Sequence, residues 1–173
     1  DRKGYDLELD ERFKHGELYS ADSIHFADSL KYNTLRRKRV VYGGGGIMPD
    51  FFVPLDTTKY TKYHRQLTAK GCVINASLRY IDANRAELKS KYKSFDKFLA
   101  TFEIPQSVID GIYAEGKKQK VEPANDNEVE QTTKSLRQQL KALVARDIWD
   151  MSQYFQIMNE TNDIVQKAVE LIK

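Results

Sequence analysis

Apolar residues recur at helical spacing through most of the chain after residue 57. The clearest pattern follows Ser94, where large apolar side chains occupy positions i, i+3, i+4 and i+7 as Phe95, Phe98, Leu99 and Phe102. Such a stripe covers one face of a helix, and serine is a preferred residue for capping a helix amino terminus. The pattern therefore predicts an amphipathic helix that begins after Ser94 and packs against other helices.

Weaker stripes of the same kind predict helices on both sides of this one. Before Ser94, two helices are predicted at residues 61–70 and 72–92, and Asp56, Thr57 and Thr58 are the predicted capping residues of the first. After the helix at Ser94, one helix is predicted to begin at Pro105 and a long one to span about 128–148. Two short helices follow, one beginning at Asp150 or Ser152 and the last at Thr161 or Asn162. The predicted inward-facing residues from 72 onwards are Ile74, Leu78, Ile81, Leu88, Val108, Ile109, Ile112, Tyr113, Leu136, Leu140, Leu143, Val144, Ile148, Tyr154, Phe155, Met158, Ile164, Val165, Ala168, Val169 and Ile172. Full burial of each large apolar side chain stabilises a fold by roughly 1.5–3 kcal/mol before entropy is counted, which suffices for a helical bundle.

Residues 116–128 interrupt this periodicity. The stretch holds three lysines, Pro123 and an Asn-Asp-Asn triplet. Such a composition is typical of an exposed loop that is sensitive to proteolysis. We therefore expect the helical part to be divided by a loop at about 116–128.

A different pattern lies between Arg36 and Pro54, where β-branched and aromatic residues run together around four consecutive glycines, Gly43 to Gly46. Glycine has no Cβ, so the backbone can approach another backbone closely, at a cost of roughly 0.5–1 kcal/mol per strand glycine. Pro49 and Pro54 hold the residues before them in extended geometry and cannot donate to a ladder. The pattern predicts two short extended segments on either side of the glycine run. The fold class is thus mainly α with a small β element, a short β ribbon followed by an α-helical bundle.

The amino-terminal arm has only weak patterning. Residues from Tyr5 to Leu18 predict a short polar helix with Leu9 and Phe13 on one side, closed near Gly16, and a second short element is predicted between Ile24 and Leu30. Neither segment can bury enough apolar surface to persist alone. We expect the arm to lean on another part of a larger protein or on a neighbouring molecule.

Composition narrows the class of protein without selecting a function. The 173 residues are 40% hydrophobic and 31% charged, with a net charge of +3, which is typical of a globular chain that can bury a core. Cys72 is the only cysteine, so an internal disulfide is excluded, and a small buried residue is its predicted role. No apolar run approaches the roughly 20 residues of a membrane span.

The glycine run and two basic clusters could each suggest a site that binds anions, but neither has the residue pattern that such a site requires. A P-loop or a dinucleotide fingerprint requires its glycines to open a helix, whereas Gly43 to Gly46 lead into Ile-Met-Pro-Asp, so no nucleotide cofactor is predicted. The basic clusters are Arg36-Arg37-Lys38-Arg39 and Lys117-Lys118-Gln119-Lys120. Neither is interleaved with aromatic residues that stack on bases, so nucleic acid is not a predicted partner.

Candidate catalytic and metal-binding residues are also few. Ser94 and Lys97 have the Ser-x-x-Lys spacing of some serine hydrolases, but a capping serine and a solvated lysine explain both residues. His15, His25 and His64 have no further ligand at a useful spacing, so no metal site is predicted. We assign no catalytic, cofactor-binding or metal-binding residue within the chain.

The stretch around the glycine run resembles a known family. The residues Tyr42, Gly43, Gly44, Gly45, Gly46, Ile47, Met48, Pro49 and Asp50, followed by Phe-Val-Pro-Leu-Asp-Thr-Thr at 52–58, look like the segment after the catalytic region of carboxy-terminal processing, or tail-specific, serine peptidases. Upstream, Tyr5-Asp6, the Arg-Phe-Lys-His-Gly-Glu run at 12–17, and the segments at 22–24 and 28–32 resemble an insertion of the Bacteroidetes-type members. The match is specific from about Tyr5 to Thr58.

The resemblance implies a serine nucleophile activated by a lysine, and a PDZ-like module that captures apolar substrate C termini. Both dyad residues lie upstream of the Gly-Gly-Ile-Met-Pro-Asp segment in that family, so we expect this chain to lack the catalytic region and the PDZ-like module. Residues 1–35 are then a helical arm or insertion, residues 36–56 a β ribbon of the protease core, and residues 57–173 a C-terminal helical domain. The implied location is the periplasm or cell envelope.

The implied function is a non-catalytic C-terminal segment that completes and supports a protease core, with the upstream core of the same parent chain as its partner. The four glycines and Asp50 are assigned a structural role in this ribbon. A homo-oligomer through the exposed arm or ribbon is a further expectation. The alternative is a helical interaction or oligomerisation module that has no catalytic parent.

Overall fold

The computed structural model describes residue 7 and residues 10–25, 28–43 and 51–172. The fold is mainly α with a two-stranded antiparallel sheet, which confirms the predicted class. The chain separates into two compact units, residues 1–56 and residues 57–173.

The first unit consists of short elements. Residues 10–14 are helical, and the chain turns at Gly16, whose φ of +81° is in the left-handed region that glycine adopts without strain. Arg12 and Glu17 form an ion pair of 2.9 Å across this turn. Single-turn 3₁₀ helices follow at Ala21–Ser23 and Asp28–Leu30. The helix ends just before Gly16, as predicted, and Tyr5, Asp6, Glu8 and Leu9 of the predicted span lie outside the described residues.

The β ribbon is a hairpin of strand β1 (Lys31–Asn33) and strand β2 (Val40–Tyr42), with Tyr32 opposite Val41. The prediction of a strand before the glycine run is confirmed, and its partner is Lys31–Asn33. Met48 to Asp50, in the extended segment predicted after the run, lie outside the described residues. Residues 51–54 form no strand, and Pro54 has no amide hydrogen to donate. The turn at 34–39 closes the hairpin instead, because the Thr34 hydroxyl accepts from the Arg39 amide at 3.0 Å.

The second unit is a bundle of seven helices within the described residues. They are α1 (Lys62–Ala69), α2 (Cys72–Lys91), α3 (Phe95–Thr101), α4 (Gln106–Lys118), α5 (Asp126–Ile148), α6 (Met151–Asn159) and α7 (Asp163–Ile172). Helix α5 packs against α1, α2, α4 and α6, so it is the central element of the unit. No helix among the described residues is long and apolar enough to cross a membrane.

Side-chain caps fix where most of these helices begin. Ser94, Asn125 and Asp150 each accept a hydrogen bond from a backbone amide in the first turn of the following helix. Helix α1 is capped by Thr61, which accepts from the amide of His64, so the predicted capping by residues 56–58 is wrong. Thr61 is the cap because an N-cap side chain accepts from the amide two or three residues later, and residues 56–58 are too far from the first turn of α1.

The core of the second unit contains an aromatic cluster. The Phe98 ring lies 4.4 Å from the Phe102 ring, 5.2 Å from Tyr92 and 5.3 Å from Trp149, measured between centroids. Phe98 is fully buried, and Phe102 and Tyr92 are almost so. The stripe predicted after Ser94 is thus confirmed. The stripe on α4 is confirmed as well, with Ile109 and Ile112 fully buried.

Three predictions about inward-facing residues are wrong. Ile74 and Leu78 are exposed, because the smaller residues Val73, Ala76 and Ser77 form the buried stripe of α2. On α6, Phe155 is exposed and Ile157 is buried in its place. The stripe predicted on α7 is not covered, since Ile164, Val169 and Ile172 are exposed and no residue of that helix is buried.

The loop predicted at 116–128 is shorter than expected. Helix α4 continues to Lys118, and α5 already begins at Asp126. Between them, Val121 is buried and its amide donates to the Gly116 carbonyl at 2.9 Å. Gly116 itself is buried against Leu67. Most of the segment 116–128 is exposed, and Gly116 and Val121 are its two buried residues.

Candidate functional site

The predicted structural motif runs from Tyr42 to Asp50, and the structure describes its first two residues. Gly44, Gly45, Gly46, Ile47, Met48, Pro49 and Asp50 lie outside the described residues. The Gly43 amide donates to the Leu30 carbonyl at 2.8 Å. A Cβ built at Gly43 would lie 3.1 Å from Cε2 of Tyr32, which is tighter than an ordinary van der Waals contact. At Gly43, therefore, the chain makes the close approach for which glycine is suited.

The first unit buries none of its described side chains. Its exposed large apolar residues are Leu7, Phe13, Tyr32, Leu35, Val40, Val41, Phe51 and Leu55. Tyr32 and Val41 are directly opposite each other and share one face of the ribbon, whereas Val40 points to the other face. Both faces of the hairpin thus present apolar side chains to solvent. We call Tyr32, Val40 and Val41 the ribbon surface.

Ser94 is a helix cap in the structure. Its hydroxyl accepts from the backbone amide of Lys97 at 3.4 Å, and both residues are exposed at the start of α3. A nucleophilic serine needs a base that can take its proton and donors that stabilise an oxyanion. Here the bond is to the Lys97 backbone rather than to its ammonium group, which is what a capping role requires.

The three histidines are in different surroundings. His15 and His25 are exposed, whereas His64 is 4% exposed and stacks on Tyr60 at a centroid distance of 4.8 Å. Within the described residues, no group of three or more histidines, cysteines or acidic residues could hold a metal ion. The buried histidine therefore belongs to the packing of the bundle.

His64 lies in a row of polar contacts between α1 and α5. Its Nε2 is 3.0 Å from Oε1 of Gln139, and the hydroxyls of Thr61 and Thr132 are 2.6 Å apart. Glu128 accepts from the Tyr63 amide at 2.9 Å. Because the three α5 residues are spaced four and seven apart, they share one helix face. We call Thr61, His64, Glu128, Thr132 and Gln139 the polar seam.

The seam shifts the proton affinities of its members. Burial lowers the pKa of His64, the hydrogen bond that its Nε2 donates to Oε1 of Gln139 opposes this, and the Arg65 charge lowers the pKa further. The pKa of Glu128 is lowered by hydrogen bonds from the Ala124 and Tyr63 amides. Burial, with smaller contributions from neighbouring groups, raises the pKa of Tyr63 to about 12. The surroundings of the seam thus favour the neutral form of His64 and the charged form of Glu128, and its hydrogen bonds join α1 to α5.

Cys72 is also structural. It is fully buried, and its Sγ lies 3.6 Å from Nε2 of Gln119. Burial raises the pKa of the thiol, with a smaller contribution from Glu115. Since the thiolate is the reactive form, this environment suppresses nucleophilic chemistry. The predicted role as a small buried residue agrees with this geometry.

Comparison with known proteins gives one match. A family of unknown function, DUF8443, matches residues 63–150, a span that starts within α1 and ends just after α5. No curated protein and no solved structure matches the chain. The matched span contains the aromatic cluster and most of the polar seam.

Proposed function

We propose that this chain, which belongs to the DUF8443 family of unknown function, is the non-catalytic C-terminal segment of a tail-specific serine endopeptidase. In this proposal its first unit completes the protease core and its helical unit supports that core. The substrates of the parent enzyme are proteins with apolar C termini, and its location is the periplasm or cell envelope. These properties follow from the resemblance carried by residues 5–58.

The observation that supports the proposal most directly is the ribbon surface. A two-stranded hairpin is marginally stable in water, and it needs further strands or a packed face to persist. Val40, Val41 and Tyr32 are 48%, 40% and 58% exposed, respectively. Large apolar side chains on both faces of a ribbon are suited to burial between other elements, as expected for strands that complete a larger sheet.

The chemistry of the described residues agrees with a supporting role. Ser94 caps α3, Cys72 is buried with a raised pKa, and His64 is shielded by Tyr60. None of these groups is arranged for nucleophilic attack. In the proposed parent enzyme the serine and lysine of the dyad come from the catalytic region that precedes the glycine run.

A second candidate is a helical interaction module without a catalytic parent. It is favoured by α7, whose apolar residues Ile164, Val169, Leu171 and Ile172 are all exposed. An exposed apolar helix face is typical of a surface that binds another protein. This candidate explains α7 but leaves the resemblance around the glycine run without a role.

Extending the reading frame upstream of Asp1 tests the two candidates. The 173-residue chain and the extended protein are purified, and each is incubated with a protein substrate that ends in apolar residues. We expect cleavage by the extended protein, loss of cleavage when its upstream serine is replaced by alanine, and no cleavage by the 173-residue chain.

Two results would contradict the proposal. One is an extended protein with no serine-type peptidase activity and no upstream Ser and Lys, which favours the interaction module. The other is cleavage by the 173-residue chain that disappears in Ser94→Ala. In the extended protein, Gly43→Val is expected to reduce activity or stability, because a Cβ at this position would lie 3.1 Å from Cε2 of Tyr32.

A further inference from the structure

The helical unit contains a cleft that the proposed function does not use. Its volume is about 700 Å³, within the range of roughly 300–1,000 Å³ that small-molecule sites occupy. Phe102, Ile104 and Ile157 form an apolar floor, and each is at most 4% exposed. Arg137 and Lys141, which are neighbours on one face of α5, form a basic wall.

Both cations of this wall are held in place by backbone carbonyl groups. Arg137 donates to the carbonyl of Ile104 at 3.0 Å and to the side-chain oxygen of Gln106. Lys141 donates to the carbonyl of Leu99 at 2.7 Å. A guanidinium has five N–H donors and an ammonium has three, so each group retains donors after making these bonds. The bonds orient the charges and leave capacity to bind an anion.

The charge balance of the cleft favours an anion. No carboxylate of the described residues forms an ion pair with Arg137 or Lys141. The charged residues of the lining are Lys59, Lys134, Arg137 and Lys141 against Glu103 and Glu160. Lys134 is neutralised by an ion pair of 2.8 Å with Glu130 on the surface. Glu103 and Glu160 are exposed, and Lys59 donates to the Thr161 carbonyl. Arg137 and Lys141 are therefore the half-buried fixed charges that are positioned for a ligand.

The neutral polar groups of the lining are already bonded within the protein. Ser135 donates to the Lys59 carbonyl at 3.4 Å, and the Gln138 amide donates to the Ile157 carbonyl at 2.9 Å. Thr161 donates to the oxygen of Gln138. A peptide would need free partners for its amide groups, whereas a ligand with one anionic head and an apolar body needs only the basic wall and the floor.

We propose that this cleft binds a small aliphatic carboxylate, with the carboxylate on Arg137 and Lys141 and the hydrocarbon chain over Phe102, Ile104 and Ile157. Arginine suits this role because its planar N–H pairs match the two oxygens of a carboxylate. The proposal does not depend on the protease assignment, because every residue it uses is in the helical unit.

The first experiment uses the unmodified chain and three probes of equal chain length. Sodium octanoate, 1-octanol and octylamine are titrated separately, and amide chemical shifts are followed by NMR. We expect saturable shifts for octanoate around residues 102–104 and 137–141, with weaker binding of octanol and none of octylamine. Equal binding of octanol and octanoate would overturn the proposal, and so would the absence of octanoate binding.

The second experiment removes the wall charges singly. Arg137→Gln and Lys141→Gln remove the charge and keep a polar side chain at a half-buried position, and far-UV circular dichroism checks that each variant is folded. Each variant is expected to weaken octanoate binding at least about tenfold, the range for losing a charge-assisted hydrogen bond. Lys89→Gln, an exposed change in the last turn of α2, is the matched control with unchanged binding.

Further outcomes separate this ligand class from others. Unchanged octanoate affinity in folded Arg137→Gln and Lys141→Gln would overturn the proposal. Equal affinity for inorganic phosphate would overturn it too, because the apolar floor would then contribute nothing. Binding of a peptide with an apolar C terminus but not of octanoate would assign the cleft to a polypeptide instead.

Discussion

The helical unit and the ribbon-containing unit place similar side chains in opposite environments. In residues 57–172, phenylalanines and leucines such as Phe98, Leu136 and Leu140 are completely buried. In the described part of residues 7–56, comparable residues are exposed, and Leu35 is 90% accessible. Apolar burial stabilises by about 25 cal/mol per Å², so the helical unit has a stabilising core, whereas the described residues of the first unit form none.

Apolar residues have two roles in this chain: in the helical unit they form a core, and in the first unit they are available to a partner. A unit whose apolar side chains are buried can fold without a partner, whereas exposed apolar side chains on a small hairpin are suited to a partner that covers them. Helix α7 is an exception within the helical unit, since its apolar stripe is exposed. Substitutions in the two units should therefore have unequal effects on the 173-residue chain.

The largest effect is expected for Phe98→Ala in the aromatic cluster. Phe98 is fully buried and contacts Phe102, Tyr92 and Trp149, so its loss removes apolar burial and leaves a cavity. We expect the free energy of unfolding to fall by about 3–5 kcal/mol. Urea denaturation followed by circular dichroism measures this change.

The control for Phe98→Ala is Leu35→Ala in the first unit. Because Leu35 is 90% exposed, its truncation should change the free energy of unfolding by no more than about 0.5 kcal/mol. Comparable losses for the two variants would contradict the contrast between the units.

The next effect concerns two glycines of α4. A Cβ at Gly116 would overlap Cδ2 of the buried Leu67, whereas a Cβ at Gly111 would meet nothing within 4 Å. We expect Gly116→Ala to destabilise by about 1–3 kcal/mol through overpacking. Gly111→Ala should stabilise by roughly 0.5–1 kcal/mol through helix propensity. Thermal unfolding of the pair checks both signs, and the same sign for both would refute this account of the packing.

The pH dependence of stability is expected to come from His64. Its folded-state pKa is lowered by burial, so the unfolded chain takes up a proton first as the pH falls. Stability is complete above the unfolded pKa of about 6.5 and decreases below it, by up to about 1.4 kcal/mol per pH unit, until the folded-state pKa is passed. Urea denaturation at several pH values between 5 and 7.5 measures the slope.

Two variants isolate this contribution. His64→Gln cannot titrate, so the slope between pH 5 and 7.5 should become flatter, whereas His15→Gln at an exposed position should leave it unchanged. Glu128 affects stability at lower pH than His64. Its pKa is lowered in the folded state, so its contribution to stability is complete above the ordinary glutamate pKa and is lost as the pH falls through the folded-state pKa. An identical slope in His64→Gln would exclude the histidine as the source.

Strong periodicity and capping chemistry made the helical unit largely predictable. Ser94 caps α3, and Ile109 and Ile112 are buried, because large apolar residues at helical spacing define one face clearly. On helix α2 the predicted Ile81 and Leu88 are buried, but Ile74 and Leu78 were misassigned, because the first half of its buried face includes small residues such as Ala76 and Ser77. Small residues give a weak hydrophobic signal even where helices pack closely.

Contacts between residues that are distant in sequence could not be predicted from periodicity. Strand β1 contains lysine, tyrosine and asparagine, a set without a strand pattern, and only its pairing with Val40–Tyr42 makes it a strand. The polar seam was missed because His64 and Gln139 are distant in sequence and are ordinary polar residues in a helical pattern. Helix α7 has a clear stripe, but a stripe does not specify what covers it.

A smaller effect is expected at the cap of α3. Ser94→Ala removes the acceptor for the Lys97 amide and should cost about 0.5–2 kcal/mol, whereas Ser94→Asp keeps an acceptor and should retain most of the stability. Thermal unfolding of both variants distinguishes a cap from a nucleophile. Equal losses in the two variants would exclude the capping role.

The smallest effect on the 173-residue chain is expected at the ribbon surface. Val41→Thr keeps a β-branched residue but replaces a methyl with a hydroxyl at a position that is 40% exposed. The free energy of unfolding should change by less than about 0.5 kcal/mol, because the side chain is at an exposed position where the new hydroxyl can bind water. Urea denaturation followed by circular dichroism measures this, with Lys31→Gln on the partner strand as the control.

The same change has a different consequence in the upstream-extended protein. If Val41 is buried in the protease core there, a hydroxyl without a partner should cost about 1–3 kcal/mol, which thermal unfolding and peptidase activity would both report. Lys31→Gln should have little effect in either context. A Val41→Thr variant that is silent in the extended protein as well would mean that the ribbon remains exposed, and the reason for placing it in a protease core would be lost.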